Sequence, residues 1–247
     1  MIKLLTGLNE ALYEIVILMV ILPKTLVKVI IAPKWISPYV EAELHKDASE
    51  RFNEYAAPMI FYVGFCVMPI IVGLSFGLKG LGGGALRSLA LENQVLANFI
   101  FLISWPLAAS LVIQLLKRAP LSRTALRLTL YPQAYCWGAF YFFSYLVIVI
   151  RFFGREYSAV PGWIFFGMPI VLGLYFFWFI YSEICIIRQQ LAVGTGKALS
   201  TIGLTYVVGW AVTLANVLIV FTSVGKLPDL LRDWEAMRDA IVRELSR

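Results

Sequence analysis

Five runs of predominantly apolar residues, at 59–77, 95–116, 128–153, 163–187 and 199–222, decide most of what this chain can become. Each holds roughly 20 residues, enough for a helix rising about 1.5 Å per residue to cross a hydrocarbon core of about 30 Å. Lipid offers no partner to a backbone N–H or C=O, so a spanning segment must be a helix or part of a closed barrel. Barrel strands read as alternating segments of about ten residues, and this sequence has no such pattern. The expected fold class is therefore all-α, a polytopic transmembrane helix bundle of five spans over residues 59–222. An N-terminal cytoplasmic or interfacial helical segment, 1–58, is expected before it, and an amphipathic C-terminal helix, 223–247, after it. Composition agrees: 60% of residues are hydrophobic and 15% charged, against about 45–50% and about 25% in soluble domains.

The loops set the expected orientation. KRAPLSRTALR, between the second and third runs, carries Lys117, Arg118, Arg123 and Arg127 with no acid. Basic loops stay on the cytoplasmic side. Arg188 and Lys197, between the fourth and fifth runs, belong to the same side. Five spans then leave the N-terminus in the cytoplasm and the C-terminus outside. Glu10 and Glu14 stand where a signal peptide has its basic and apolar regions, so none is expected. The short chain has no Asn-x-Ser/Thr acceptor, which favours a bacterial inner membrane.

Two segments leave alternatives open. Residues 11–32 are apolar, but Pro23, Lys24 and Lys28 interrupt them. Lys24 near the middle of a span costs about 2.5–3.5 kcal/mol, so helices lying in the inner interface are expected there. At the C-terminus, Leu227, Leu230, Leu231, Trp234, Met237, Ile241 and Leu245 form one helical stripe. It suits either a helix folded on the protein's own spans or lipid, or a docking helix for a partner.

Motifs for chemistry are missing. The sequence contains no G-x-x-x-x-G-K-[ST], H-E-x-x-H or G-x-S-x-G. GLKGLGGGA, residues 77–85, reads as a flexible outer loop. Cys66, Cys136 and Cys185 read as small buried hydrophobes. The single histidine, His45, lies in a polar stretch, which disfavours haem or pigment ligation. No catalytic residue, metal ligand or cofactor is expected, nor a nucleic-acid partner. The candidate intramembrane polar residues are Asn98, Gln133, Glu183 and Asn216, with Gln114 beside them. Glu183 is the only acid in a firm span. Such residues mark functional sites by default because they are costly in lipid. Its place one turn from the end of the apolar run instead suggests an ion pair with Arg188 or Lys197. Gly73 and Gly77 form a small-xxx-small pair suited to close helix packing. Tyr141, Phe142, Phe143, Phe176, Phe177 and Trp178 are expected to face lipid or another subunit.

Three stretches carry a family resemblance. LPKTLVKVIIAP, residues 22–33, resembles the P-K-T-x-x-x-x-I opening of the bacterial branch of the Yip family, the Ypt-interacting proteins. SRTALRLTLYPQA, 122–134, resembles that family's basic entry into its third span. YSEICIIRQQLAVGTGKALSTIGLTYVVGW, 181–210, resembles its hairpin between the fourth and fifth spans. The resemblance implies a cytoplasmic opening segment and five spans. Eukaryotic members bind prenylated small GTPases and each other. The long polar N-terminal domain of those members has no counterpart here, so the resemblance implies the fold and not that partner.

The expected function is a non-catalytic integral membrane scaffold or accessory subunit, in contact with membrane lipids and other membrane-protein subunits. The alternative is a small transporter or permease subunit, drawn from Glu183 and from Pro69, Pro106, Pro132 and Pro169 in four of the runs. A polar cavity reaching the midplane, lined by Glu183, Asn216 or Gln133, would separate the two.

Overall fold

Uninterrupted apolar sequence becomes helix in the computed structural model, which describes residues 2–67, 69, 91–118, 120–157 and 162–223. The helices are α1 (Ile2–Ile31), α2 (Ile36–His45), α3 (Pro58–Tyr62), α4 (Leu91–Lys117), α5 (Arg123–Tyr157), α6 (Gly162–Leu191) and α7 (Thr195–Ser223). A 3₁₀ turn, Pro33–Trp35, joins α1 to α2, and α3 widens into a π turn at Val63–Val67. Among the described residues there is no strand, and the chain is an all-α polytopic bundle.

Among the described residues, four segments are long and apolar enough to cross a membrane: Asn93–Lys117, Arg123–Ile150, Pro169–Leu191 and Thr195–Val220. They coincide with the second to fifth runs of the sequence. The first run is described only as the short apolar helix Pro58–Val67 and at Pro69; the rest of it lies outside the described residues. The bent pair Val16–Ile31 and Pro33–His45 satisfies the same criterion together, at an angle of 104°, which makes the count four, or up to five. Pro33 is the cause of the bend. A residue before proline is pushed out of the α region, and Ala32 sits at φ −132°, ψ 62°.

The N-terminal segment packs onto the bundle. Helix α1 runs through Pro23 without a break. Val29, Ile36 and Val40 are fully buried in the same core as Phe61, Trp105 and Tyr135, so residues on both sides of position 58 share one packing unit. The charge that argued against embedding this helix is met by the chain itself. The loop after α2 folds back, and Lys24 Nζ donates to the Glu54 carbonyl at 3.1 Å, lies 3.9 Å from the Glu54 carboxylate and sits 4.6 Å from the Tyr55 ring centre. That loop is itself pinned: the buried Glu43 carboxylate accepts from the Phe52 N–H at 2.6 Å and from Lys46 at 2.5 Å.

One chain of hydrogen bonds then ties three elements. Thr25 Oγ1 donates to Ile21 O at 2.7 Å and accepts from Ala56 N at 2.9 Å. Tyr135 on α5 donates its phenol to Ala56 O at 2.5 Å. Around α5, Trp137 stacks on Trp105 of α4 with ring centres 5.5 Å apart, and Tyr206 and Trp210 of α7 meet Trp105 edge-on, each at 5.4 Å. Helix α4 thereby packs along both α5 and α7, while α5 also packs on α3 and α6. Helices α4 and α6 each end at a residue in the left-handed region, Arg118 (φ 50°) and Ala192 (φ 52°), the usual way a helix terminates before a reversal.

Candidate functional site

A cluster of buried polar side chains lies where α5 meets α6. Gln133 and Trp137 are one turn apart on α5, so their side chains meet on one face. Gln133 Oε1 accepts from Trp137 Nε1 at 3.1 Å, and Gln133 Nε2 donates to Glu183 Oε2 on α6, also at 3.1 Å. The Cys136 thiol lies against the same carboxyl. Gln133 and Glu183 are 0% and 3% exposed. Glu183 Oε1 has no hydrogen-bond partner among the described residues.

Two expectations about Glu183 change. It is not one turn from the helix end. Helix α6 continues through Arg188 and Gln190 to Leu191, which places Glu183 roughly 12 Å from the terminus at about 1.5 Å per residue. The extension is held by Gln190, whose Nε2 donates to Leu128 O of α5 at 2.9 Å. Nor does Glu183 pair with Arg188 or Lys197; the described ion pairs are Lys24–Glu54 and Lys46–Glu43. At about 100° per residue, position 188 lies about 140° around the helix from 183, whereas a facing partner needs a spacing of three or four.

The other candidate polar residues do not join this cluster. Asn216 of α7 donates to Ser104 Oγ of α4 at 3.1 Å. Asn98 donates to Gln94 O within its own helix at 2.7 Å. Gln114 of α4 donates to Ala125 O of α5 at 2.6 Å and to Thr129 Oγ1 at 3.3 Å. Except for Asn98, each joins two helices. Three cavities among the described residues are lined by other groups. An apolar one of about 210 Å³ lies among Cys66, Phe101, Phe140 and Tyr145. Two polar ones lie at the basic end of the bundle. Among the described residues, no three His, Cys, Asp or Glu side chains converge as metal ligands.

Five of the basic residues gather at one end. Lys117 and Arg118 close α4, Arg123 and Arg127 open α5, and Arg188 stands in the last turn of α6. The aromatic residues divide by face. Phe176 and Phe177 are exposed as expected, but Tyr141 is buried, and Trp178 is partly buried with its indole N–H on Ile30 O at 2.9 Å. Adjacent residues on a helix point about 100° apart, so a run of aromatics cannot share one environment. The helix-packing pair Gly73 and Gly77, the loop 77–85, and the stripe of Leu230, Leu231, Trp234, Met237, Ile241 and Leu245 lie outside the described residues.

Compared with known proteins, the chain matches no family model, no curated protein and no solved structure. Its function is therefore argued from its own geometry.

Residues that sequence reasoning missed are those whose roles depend on a distant segment. Thr25, Tyr135 and Trp178 bond backbone groups of Ala56 and Ile30. Nothing in their local sequence marks them. Lys34 had no assigned role, yet its carbonyl accepts from Gln189 Nε2 at 2.9 Å, which brings it beside the end of α6.

Proposed function

We propose that this integral membrane protein is a non-catalytic scaffold or accessory subunit of a larger membrane assembly. The observation that carries the reading is the use of its intramembrane polar side chains as joints between helices. Gln114, Gln133 with Glu183, and Asn216 each link two helices. In lipid, helix association relies on packing and such hydrogen bonds, so this pattern suits a rigid body. The lateral faces supply surface for neighbours: Phe177 on α6 and Val207 and Trp210 on α7 are well exposed. The rival, a small transporter, draws on Glu183 Oε1, a buried acceptor without a described partner. It would need that oxygen to meet a water-filled path.

The reading includes a bacterial inner membrane, a Yip-like bundle and the basic end in the cytoplasm. In a variant with Cys66, Cys136 and Cys185 replaced by alanine, Ser122→Cys is expected to resist an impermeant maleimide added to intact cells and to react after lysis. Ready labelling from outside would reverse the orientation. The assembly itself is tested by purification in mild detergent. Interface anchors each contribute about 2 kcal/mol or more. The double variant Leu231→Ala/Trp234→Ala is expected to release co-purifying membrane subunits while leaving the bundle inserted. A bare monomer from native membranes, with no partner altered by the variant, defeats the scaffold reading.

A further inference from the structure

At the basic end, a cavity of about 420 Å³ opens between the turn after α1 and the reversal from α6 to α7. Lys34, Cys185, Arg188, Gln189, Ala192 and Val193 line it, with no carboxylate among them. Among the described residues, neither the Lys34 ammonium nor the Arg188 guanidinium has an ion-pair or hydrogen-bond partner. Val193 stands just before α7, so the positive end of that helix borders the cavity. The neighbouring cavity of about 200 Å³ differs: it sets Glu41 beside Lys117. Of these two cavities, the Lys34–Arg188 one carries positive charge with no carboxylate in its lining.

What leads away from it is apolar. On α6, Ile170, Leu174, Phe177 and Tyr181 are all exposed. Their spacing of four, three and four places them on one face. Continued by four and then three, this face turns inward at the buried Cys185, which lines the cavity, and ends at Arg188. On α1, the exposed Val27 and Ile31 share a face that ends just before Lys34, and one turn before Val27 that face carries Lys24, held by Glu54. The two helices are tied at this end by Trp178 on Ile30 and by Gln189 on Lys34. Two short apolar tracks, up to Tyr181 on α6 and at Val27 and Ile31 on α1, therefore approach one cationic cavity at the end of a membrane span.

We propose that this cavity binds the phosphate of an anionic glycerophospholipid, between Lys34 and Arg188, with the acyl chains along the stripes of α6 and α1. A phosphodiester supplies the two acceptor oxygens that these cations lack. The apolar tracks favour a lipid over free phosphate as its source. The site stands independently of the scaffold reading, since it requires only that the chain be embedded in a membrane.

The test uses the full chain in detergent with three probes: added phosphatidylglycerol, phosphatidylcholine and inorganic phosphate. Binding is followed by native mass spectrometry and thermal unfolding. A basic residue near an anionic lipid surface is worth about a factor of five in affinity, so Lys34→Gln/Arg188→Gln is expected to weaken phosphatidylglycerol binding roughly 30-fold. Arg118→Gln/Arg123→Gln removes equal charge at the same end but outside the cavity, and is expected to leave binding near wild type. Phosphatidylcholine is expected to bind more weakly and to be insensitive to both pairs. Should the double cavity variant fold poorly without lipid, the single variants, expected at about fivefold each, carry the same test. Equal losses from both pairs, or undiminished binding by the cavity variants, overturn the site. Stabilisation by inorganic phosphate as strong as by phosphatidylglycerol, and dependent on Lys34 and Arg188, overturns its assignment to lipid.

Discussion

Gly209→Val is expected to destabilise the bundle by about 3 kcal/mol, near the upper end of the overpacking range. A Cβ built at Gly209 meets Trp105 Cε3 at 2.8 Å and Cζ3 at 2.9 Å. That ring cannot swing aside, because Trp137 stacks on it and Tyr206 and Trp210 close its edges. Gly173, with nothing within 4 Å of its Cβ position, serves as the control, and Gly173→Val is expected to change little. Trp105→Ala is expected to cost about 3–5 kcal/mol by leaving a cavity in the core. In the double variant Gly209→Val/Trp105→Ala the new side chain enters the vacated space. The combined loss should then fall short of the sum by about 0.5–3 kcal/mol, the range for residues in contact. Thermal unfolding of the four proteins in one detergent measures this, and strict additivity would show that α4 and α7 do not meet through this pair.

The second large effect concerns Gln133. Gln133→Leu removes the described donor to Glu183 Oε2 and the acceptor for the Trp137 indole in one step. An orphaned buried polar group costs about 1–3 kcal/mol, and more when charged. With two groups stranded, a loss of about 3 kcal/mol is expected. Glu183→Gln keeps the shape and an oxygen to accept from Gln133, so it should stay within about 1 kcal/mol of wild type, as a single polar pair in a membrane bundle does. It should also keep its co-purifying partners. The opposite pattern, an unchanged melting temperature for Gln133→Leu together with lost transport in a well-folded Glu183→Gln, would move Glu183 from joint to working group and favour the transporter.

Much of this architecture is legible in the residues. The second to fifth apolar runs became helices within a few residues of their expected bounds, and Lys117, Arg118, Arg123, Arg127 and Arg188 gathered at one end. The misses share a cause. The groups that hold Lys24, Glu54 and Tyr55, are about thirty positions away and unmarked in its local sequence. Glu183 was matched to near neighbours in sequence, although its donor is Gln133, fifty residues earlier. Trp178 looked lipid-facing because the carbonyl it bonds belongs to α1.

The division has a physical basis. A chain in lipid must satisfy its backbone within each span, so helix identity and length follow from apolar run length alone, and loop charge gathers at a run's ends. Those properties are local, and the amino-acid sequence by itself determined them. Side-chain polarity inside the bundle obeys no local rule. Whether Gln133 meets Glu183, Asn216 meets Ser104, or Lys34 and Arg188 border one cavity depends on which helix faces turn toward each other. Those facings are set by packing, here by the aromatic column of Trp105, Trp137 and Tyr206 and by the close approach at Gly209. Only the tertiary structure decided them, because each pairing joins residues whose sequence separation carries no information about their distance.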